Sequence, residues 1–325
     1  MPVSPDHITG SLLGVAVGDA LGMPIEGLSH QNVRTYYKGI KEYRDDDQRG
    51  DLDAGQWTDD TQMTFALVRT LTAHPDPVDW PTGVAEAYVA LRADRRRWGA
   101  TSTAAIDQLA DGASPAEAGA PDRATDGAAM RAAPLGAWWA ATDVGRDEAF
   151  AAVRAVLSVT HRHPAALAAG WGQAAAVRHL LCLDNVDAFD RSAFWQTLVD
   201  ATTGAEEQLG GDGRVSDRLR ALDGFIDSFP LDLRDLCDGV GVRADEAWPF
   251  ACAMVARRPH LLENTLLSGI NVGGDADTTG AMMGAMLGAL HGWAAFPEEW
   301  KTGLEAAGRL RDETDAFIER LRSVR

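Results

Sequence analysis

Cysteine is scarce in this chain. Cys182, Cys237 and Cys252 are the only three in 325 residues, and their wide spacing fits neither a disulfide framework nor a paired-thiolate metal site. They are expected to be buried thiols in a reducing compartment. Basic charge is also in deficit. With 30 Lys and Arg against 48 Asp and Glu, the formal charge is −18, which argues against general nucleic-acid binding through a basic surface. A membrane span needs ~20 mostly apolar residues. The nearest candidate, 280–296, is too short and carries His291, so a buried helix is expected there and no membrane partner. The first residues lack a basic region followed by an apolar core, so no secretion signal is expected and the cytoplasm is the expected location.

Runs of β-branched residues are scarce as well, whereas apolar residues recur at helical spacing, as in Met63, Leu67 and Leu71 or Ala174, Val177 and Leu181. An all-α fold follows. No linker or fixed-period repeat divides the chain, so one compact domain over 1–325 is expected, and "YRDDDQRGDLDAG" and "AHPDPVDWP" read as loops. The acidic run Asp45 to Asp47 reads as a solvated part of the first of these.

What the sequence has in an unusual pattern is glycine. It falls at Gly10, Gly14, Gly18 and Gly22, and again at Gly280, Gly284, Gly288 and Gly292. Glycine costs a helix ~1 kcal/mol relative to alanine, so these stripes need a packing reason. The expectation is two helices deep in the core, against each other or each against a third.

Acidic clusters stand beside the glycines. "WTDDTQM" holds Thr58, Asp59, Asp60 and Thr61 at the start of an amphipathic helix, and "GGDADTTG" holds Asp275, Asp277 and Thr278 at the start of another. Helix capping would explain one acidic residue at each start. The excess points to a hard cation, since Mg²⁺ and similar ions take carboxylate, hydroxyl and water oxygens. Four carboxylates and two hydroxyls suffice for one six-coordinate ion or, with shared ligands and water, a pair ~3.5–4 Å apart, and a pair is the sharper expectation. Glu26, after the first glycine stripe, is a candidate fifth carboxylate.

The segments "GSLLGVAVGDALGMPIEG", "WTDDTQM", "GAAMRAAPLG", "VTHRHPAALAAG" and "NVGGDADTTGAMMGAMLGALHG", in this order, resemble the ADP-ribosylglycohydrolases over about residues 8–300, with 183–244 poorly matched. The resemblance implies a compact helical fold with a central binuclear Mg²⁺ or Mn²⁺ cleft and hydrolysis of ADP-ribosylated proteins or small molecules to release ADP-ribose. Thr58, Asp59, Asp60, Asp275, Asp277 and Thr278 would hold the metals. Asp60 or Asp277 would orient the water, and Glu26 would gate the site or handle a proton. Gly99, Thr101, Ser102, Asp126, Gly127, Met130 and His161 would hold the ADP-ribose. ADP-ribosylarginine is the first substrate expected; ADP-ribosylserine, a smaller N- or O-glycoside, or a non-catalytic crystallin-like role are the alternatives. Arg131 is open between phosphate binding and an internal role, His163 is expected to be structural, and Trp57 and Trp98 could stack on a base or simply pack. Two positions depart from the family pattern: Asp126 stands where many relatives carry Asn, and Trp98 where some carry an acid.

Overall fold

The computed structural model describes residues 3–323. Among them there is no strand, only isolated bridges, and the elements are helices and short turns. Those that build the site are α1 (Pro5–Gly22), α2 (Asp59–Ala73), α3 (Ala100–Ala110), α4 (Gly127–Met130), α5 (Pro164–Leu181), α6 (Arg191–Leu209), α7 (Ala244–Arg257), α8 (Ala276–His291) and α9 (Ala307–Ser323).

The glycine stripes meet. A methyl group placed on Gly10, Gly14 or Gly18 would overlap the carbonyl oxygen of Gly288, Gly284 or Gly280 respectively, and the same holds in reverse. Each pair of numbers sums to one value, so α1 and α8 run antiparallel with their backbones in contact. Glycine's helix penalty is offset here by close approach, which no larger residue permits. Of the two packings left open by the spacing, direct pairing is the one found. Gly22 continues the stripe against Ala276. Consequently the C-terminal turn of α1 lies beside the first turn of α8.

The rest of the core wraps this pair. Met282, Met283 and Met286 are fully buried and fill it. Trp171 on α5 stacks on Trp139 at a centroid distance of 4.6 Å. The segment 183–244 supplies α6, which packs on α5, and the helix Arg214–Leu222, which packs on α7. Cys237 and Cys252 are buried free thiols as expected, whereas Cys182 is exposed.

Two expectations need correction. By length and hydropathy it is Pro5–Ile25, not 280–296, that is apolar enough to cross a membrane, yet that segment is wholly buried inside the protein. Its apolar surface is spent on α8. The acidic run is not fully solvated either: Asp46 is buried, accepts from the amides of Gln48 and Arg49, and pairs with Arg97. Asp45 and Asp47 remain exposed.

Candidate functional site

The antiparallel register delivers Asp275 and Asp277, at the start of α8, to the end of α1. Two left-handed glycines make the turn that aims them. Gly273 and Gly274 have φ of 78° and 80°, and a methyl on either would strike the backbone oxygen of Leu28 or Val240. Between these contacts the Gly274 amide donates to Leu28, the Gly27 amide to Gly274, and the Asp275 amide to Val240, at 2.8–2.9 Å. The loop is therefore fixed from both sides.

The second acidic cluster is fixed by a residue the sequence reading missed. Asp19, fully buried on α1, accepts from the amides of Thr58 and Thr61 at 3.0 Å and from their hydroxyls at 2.9 and 2.6 Å. It satisfies free amides at the start of α2, a task usually done by the helix's own cap. Neither Thr58 nor Asp275 makes a side-chain cap bond to its own helix. Asp59 and Asp60 are thereby free of that role. The only trace of Asp19 in the sequence is a lone acid within the apolar run "GVAVGDALG".

Oxygens of Asp19, Asp60 and Asp277 lie within 4.8 Å of one another. Thr58 and Thr278 each direct a hydroxyl at Asp60 Oδ2, at 3.3 and 3.5 Å, while Asp60 Oδ1 is buried with no partner. An orphaned carboxylate oxygen among crowded carboxylates and hydroxyls matches the donor set of a hard divalent ion. Both oxygens of Asp19 are taken up by Thr58 and Thr61, so Asp60, Asp277 and their neighbours are the better-placed donors.

A cavity opens above this floor. Asp59, Asp275, Asp277 and Thr278 reach its surface, and Thr58 and Asp60 lie just beneath. Gly99, Thr101 and Ser102, at the start of α3, form one wall, with the Gly99 amide donating to Asp59 at 3.3 Å. Asp126, Gly127 and Met130 of the α4 turn form another, and His161 closes it from behind. Bridges from Thr125 to Arg243 and from Ala120 to His161 hold these loops in place. The six proposed metal positions and all seven proposed sugar-binding positions are thus assembled in one place.

Electrostatics follow from burial. Desolvation pushes Asp59 up to about 7, against the pull of nearby Arg131, and raises Asp60, Asp275 and Asp277 well above the usual carboxylate range, with neighbouring carboxylates adding to it. Asp19 rises to about 6 through burial, opposed by its threonine donors. Asp126 rises for the same reason, and its carboxyl lies within hydrogen-bond reach of Asp275. So much negative charge cannot be ionised together without a cation among it.

His161 is buried and held neutral by burial and then by Arg131; its ring nitrogens meet the hydroxyls of Thr160 and Thr125 at 2.8 and 3.0 Å. Arg131 lies behind the wall, donating to the Gly127 carbonyl and Ser102 Oγ, which settles it in the internal role. His163 caps α5, accepting from the Ala165 amide. Trp57 donates to the Glu305 carbonyl and Trp98 to Gln62, and neither lines the cavity. Glu26 stands at the rim, ion-paired with Arg49 at 2.6 Å and facing Arg97 at 3.6 Å.

Helical architecture and a buried oxygen cluster together define a protein with a site suited to a hard cation. Residues 2–325 match the family model described as ADP-ribosylglycohydrolase, and the chain belongs to that family and is a hydrolase. It is 32% identical over 300 residues to an uncharacterized protein of Archaeoglobus fulgidus, covering 90% of each chain. It is 27% identical to the ADP-ribosylhydrolase ARH3 of Mus musculus, over 99% of this chain and 92% of that one. It is also 27% identical to the ADP-ribosyl-[dinitrogen reductase] glycohydrolase of Rhodospirillum rubrum, over 98% and 97%. A solved ADP-ribosylglycohydrolase-related protein complex shares its fold at a TM-score of 0.75 and 24% identity, over 98% of both chains.

Proposed function

We propose that the chain is a metal-dependent hydrolase that cleaves the glycosidic bond of an ADP-ribosylated substrate, with ADP-ribosylarginine first. Family membership supports ADP-ribosyl hydrolysis. The observation that carries the finer reading is the orphaned Asp60 oxygen among Asp277, Thr58 and Thr278 at the cavity floor.

Thr58, Asp59, Asp60, Asp275, Asp277 and Thr278 would hold two Mg²⁺ or Mn²⁺ ions. When bound, such ions supply charge that polarises water and fixes vicinal hydroxyls. The chain's own groups do the remainder. The walls at Thr101 and Gly127 orient the ribose, which converts an encounter into a positioned reaction. The carboxylates below favour positive charge developing at the anomeric carbon as the leaving group departs. Asp60 or Asp277 accepts a hydrogen bond from the attacking water and aims it. Glu26, held at the rim by Arg49 and Arg97, is placed to gate entry or to accept the proton that the water releases.

Incubating the protein with an ADP-ribosylated arginine peptide in Mg²⁺ or Mn²⁺ tests this, with mass spectrometry of released ADP-ribose. Release that stops on chelation is expected. No release in either metal, alongside turnover of a smaller ribosyl glycoside, would favour the second reading, which Asp126 in the cavity wall supports. A panel including ADP-ribosylserine ranks the acceptors. A non-catalytic role is disfavoured by the complete carboxylate set.

A further inference from the structure

One wall of the cavity is supported from outside it. In the loop before α3, three consecutive side chains point in three directions: Arg96 to Glu305, Arg97 to Asp46 and Asp51, and Trp98 to Gln62. Gln62, in the first turn of α2, donates to the Asp94 carbonyl at 2.8 Å and accepts from the Arg96 amide at 3.3 Å and the Trp98 indole at 2.6 Å. The loop then delivers Gly99, whose amide donates to Asp59. Wall and floor meet at this junction.

Glu305, just before α9, clamps the junction from behind. Both of its carboxylate oxygens accept from the Arg96 guanidinium, and Gln56 adds a further donor at 3.1 Å. The Glu305 amide donates to the Gly55 carbonyl at 3.0 Å, and the Glu305 carbonyl accepts from the Trp57 indole at 3.2 Å. Arg96 also lies over the Trp57 ring, 4.3 Å from its centroid. Gly55 has a φ of 82°, and a methyl there would strike the Gly303 carbonyl, so the C-terminal segment rests directly on the chain that leads into Thr58. Neither Arg96 nor Glu305 lines the cavity. A partly exposed ion pair adds little stability, whereas a two-pronged guanidinium–carboxylate pair fixes direction as well as distance.

We propose that Arg96 and Glu305 are positioning residues for the reaction, the pair holding the wall at Gly99, Thr101 and Ser102 in register with the acidic floor. The floor itself does not depend on them. Asp19 already fixes Thr58 and Thr61 through both amides and both hydroxyls. Truncating Glu305 to alanine leaves its backbone bonds to Gly55 and Trp57 in place and releases Arg96, and through it the loop 94–99. A sugar held by a wall out of register still binds but reacts more slowly. This rests on the hydrolase reading above and names what aligns that site.

The experiment measures release of ADP-ribose from an ADP-ribosylated arginine peptide in Mg²⁺ by wild type, E305A, R96A, the double variant, E305Q and E313A. Glu313 on α9 pairs with Arg69 farther along α2, at 2.8 Å, so E313A weakens the same docking away from the wall. In E305A and R96A, kcat should fall about tenfold with half-saturating Mg²⁺ within about twofold of wild type, and the double variant should be no worse than either single one. E305Q, whose amide oxygen still accepts from Arg96, should stay within about threefold of wild type. E313A should melt earlier with kcat unchanged. A kcat within about twofold of wild type in E305A and R96A overturns the proposal, as does a loss that follows Mg²⁺ affinity, multiplies in the double variant or recurs in E313A. Amide exchange over 94–103 needs no substrate and should quicken about tenfold in E305A but not in E313A; unchanged exchange in E305A also overturns the proposal. If wild type releases no ADP-ribose, the hydrolase reading fails separately, and exchange alone decides whether the pair holds the wall.

Discussion

Asp19 and Thr61 are joined twice, the amide and the hydroxyl of Thr61 both donating to Asp19 Oδ2 at 3.0 and 2.6 Å. Thr58 repeats the arrangement on the same carboxylate. One side chain of α1 therefore sets the position of the first turn of α2, and with it Asp59 and Asp60. The glycine stripe sets α1 against α8 and so places Asp275 and Asp277. The acidic site is a by-product of two helix-docking decisions.

Asp19→Asn tests the first of these. The amide keeps the volume but has one acceptor oxygen where the carboxylate has two, leaving donors of Thr58 and Thr61 unsatisfied in a buried place. A loss of about 2 kcal/mol in urea unfolding is expected. Turnover should fall at least about tenfold, because small misplacements of Asp59 and Asp60 are costly to chemistry. Wild-type activity in a destabilised D19N protein would show that Asp19 serves folding alone.

Gly18→Ala tests the second. The added methyl would overlap the Gly280 carbonyl, a backbone atom that cannot rotate away. The helices must separate, and a cost of about 3 kcal/mol or more is expected by thermal melt. Gly210→Ala probes a glycine of the other kind. It ends α6 with φ of 68° and has open space around it, so any cost there is backbone strain without a clash.

Much of this arrangement was legible. Glycine at every fourth position on both helices has no use except backbone contact, and Asp-rich helix starts exceed what capping requires. Asp19 was not, because a single acid in an apolar helix has no spacing to read and its partners lie 39 and 42 positions away. Asp46 was misread for a related reason. Its burial depends on Arg97, 51 positions on and held at a φ of 51° that local sequence does not announce. Composition describes a residue's neighbours in the chain, and charge burial is decided by neighbours in space.

The crowded carboxylates make a pH prediction for protein stripped of metal. Asp59 rises from 3.8 to about 7 and Asp19 from 3.8 to about 6, so both are higher folded than unfolded. A raised folded value means that the folded state holds its proton more tightly. The stability this gives is complete below the unfolded value, near 4, and is lost as pH climbs through about 6 to 7. Urea unfolding in chelator should therefore show stability declining from about pH 4 to about pH 7, extending beyond the range in which ordinary surface carboxylates titrate. Excess Mg²⁺ should flatten the decline. A chelated protein whose stability holds level across this range would mean the carboxylates are less desolvated than the fold implies.

Asp277→Asn separates metal binding from folding most directly. Asp277 is buried near Asp19 and Asp60, and its charge there opposes theirs. Removing it relieves repulsion in metal-free protein, so the chelated variant should melt at or above wild type. Metal at a hundred times its dissociation constant stabilises a fold by about 2.7 kcal/mol, and D277N should lose most of that gain. Turnover should fall nearly to zero if, as proposed, Asp277 holds the ions and it or Asp60 aims the water. The metal-free melt holds or rises while the metal gain and turnover fall, a combination that general damage to the fold would not produce. A variant that kept the wild-type Mg²⁺ shift would place the ions elsewhere, and the floor of this cavity would need another explanation for its orphaned oxygen.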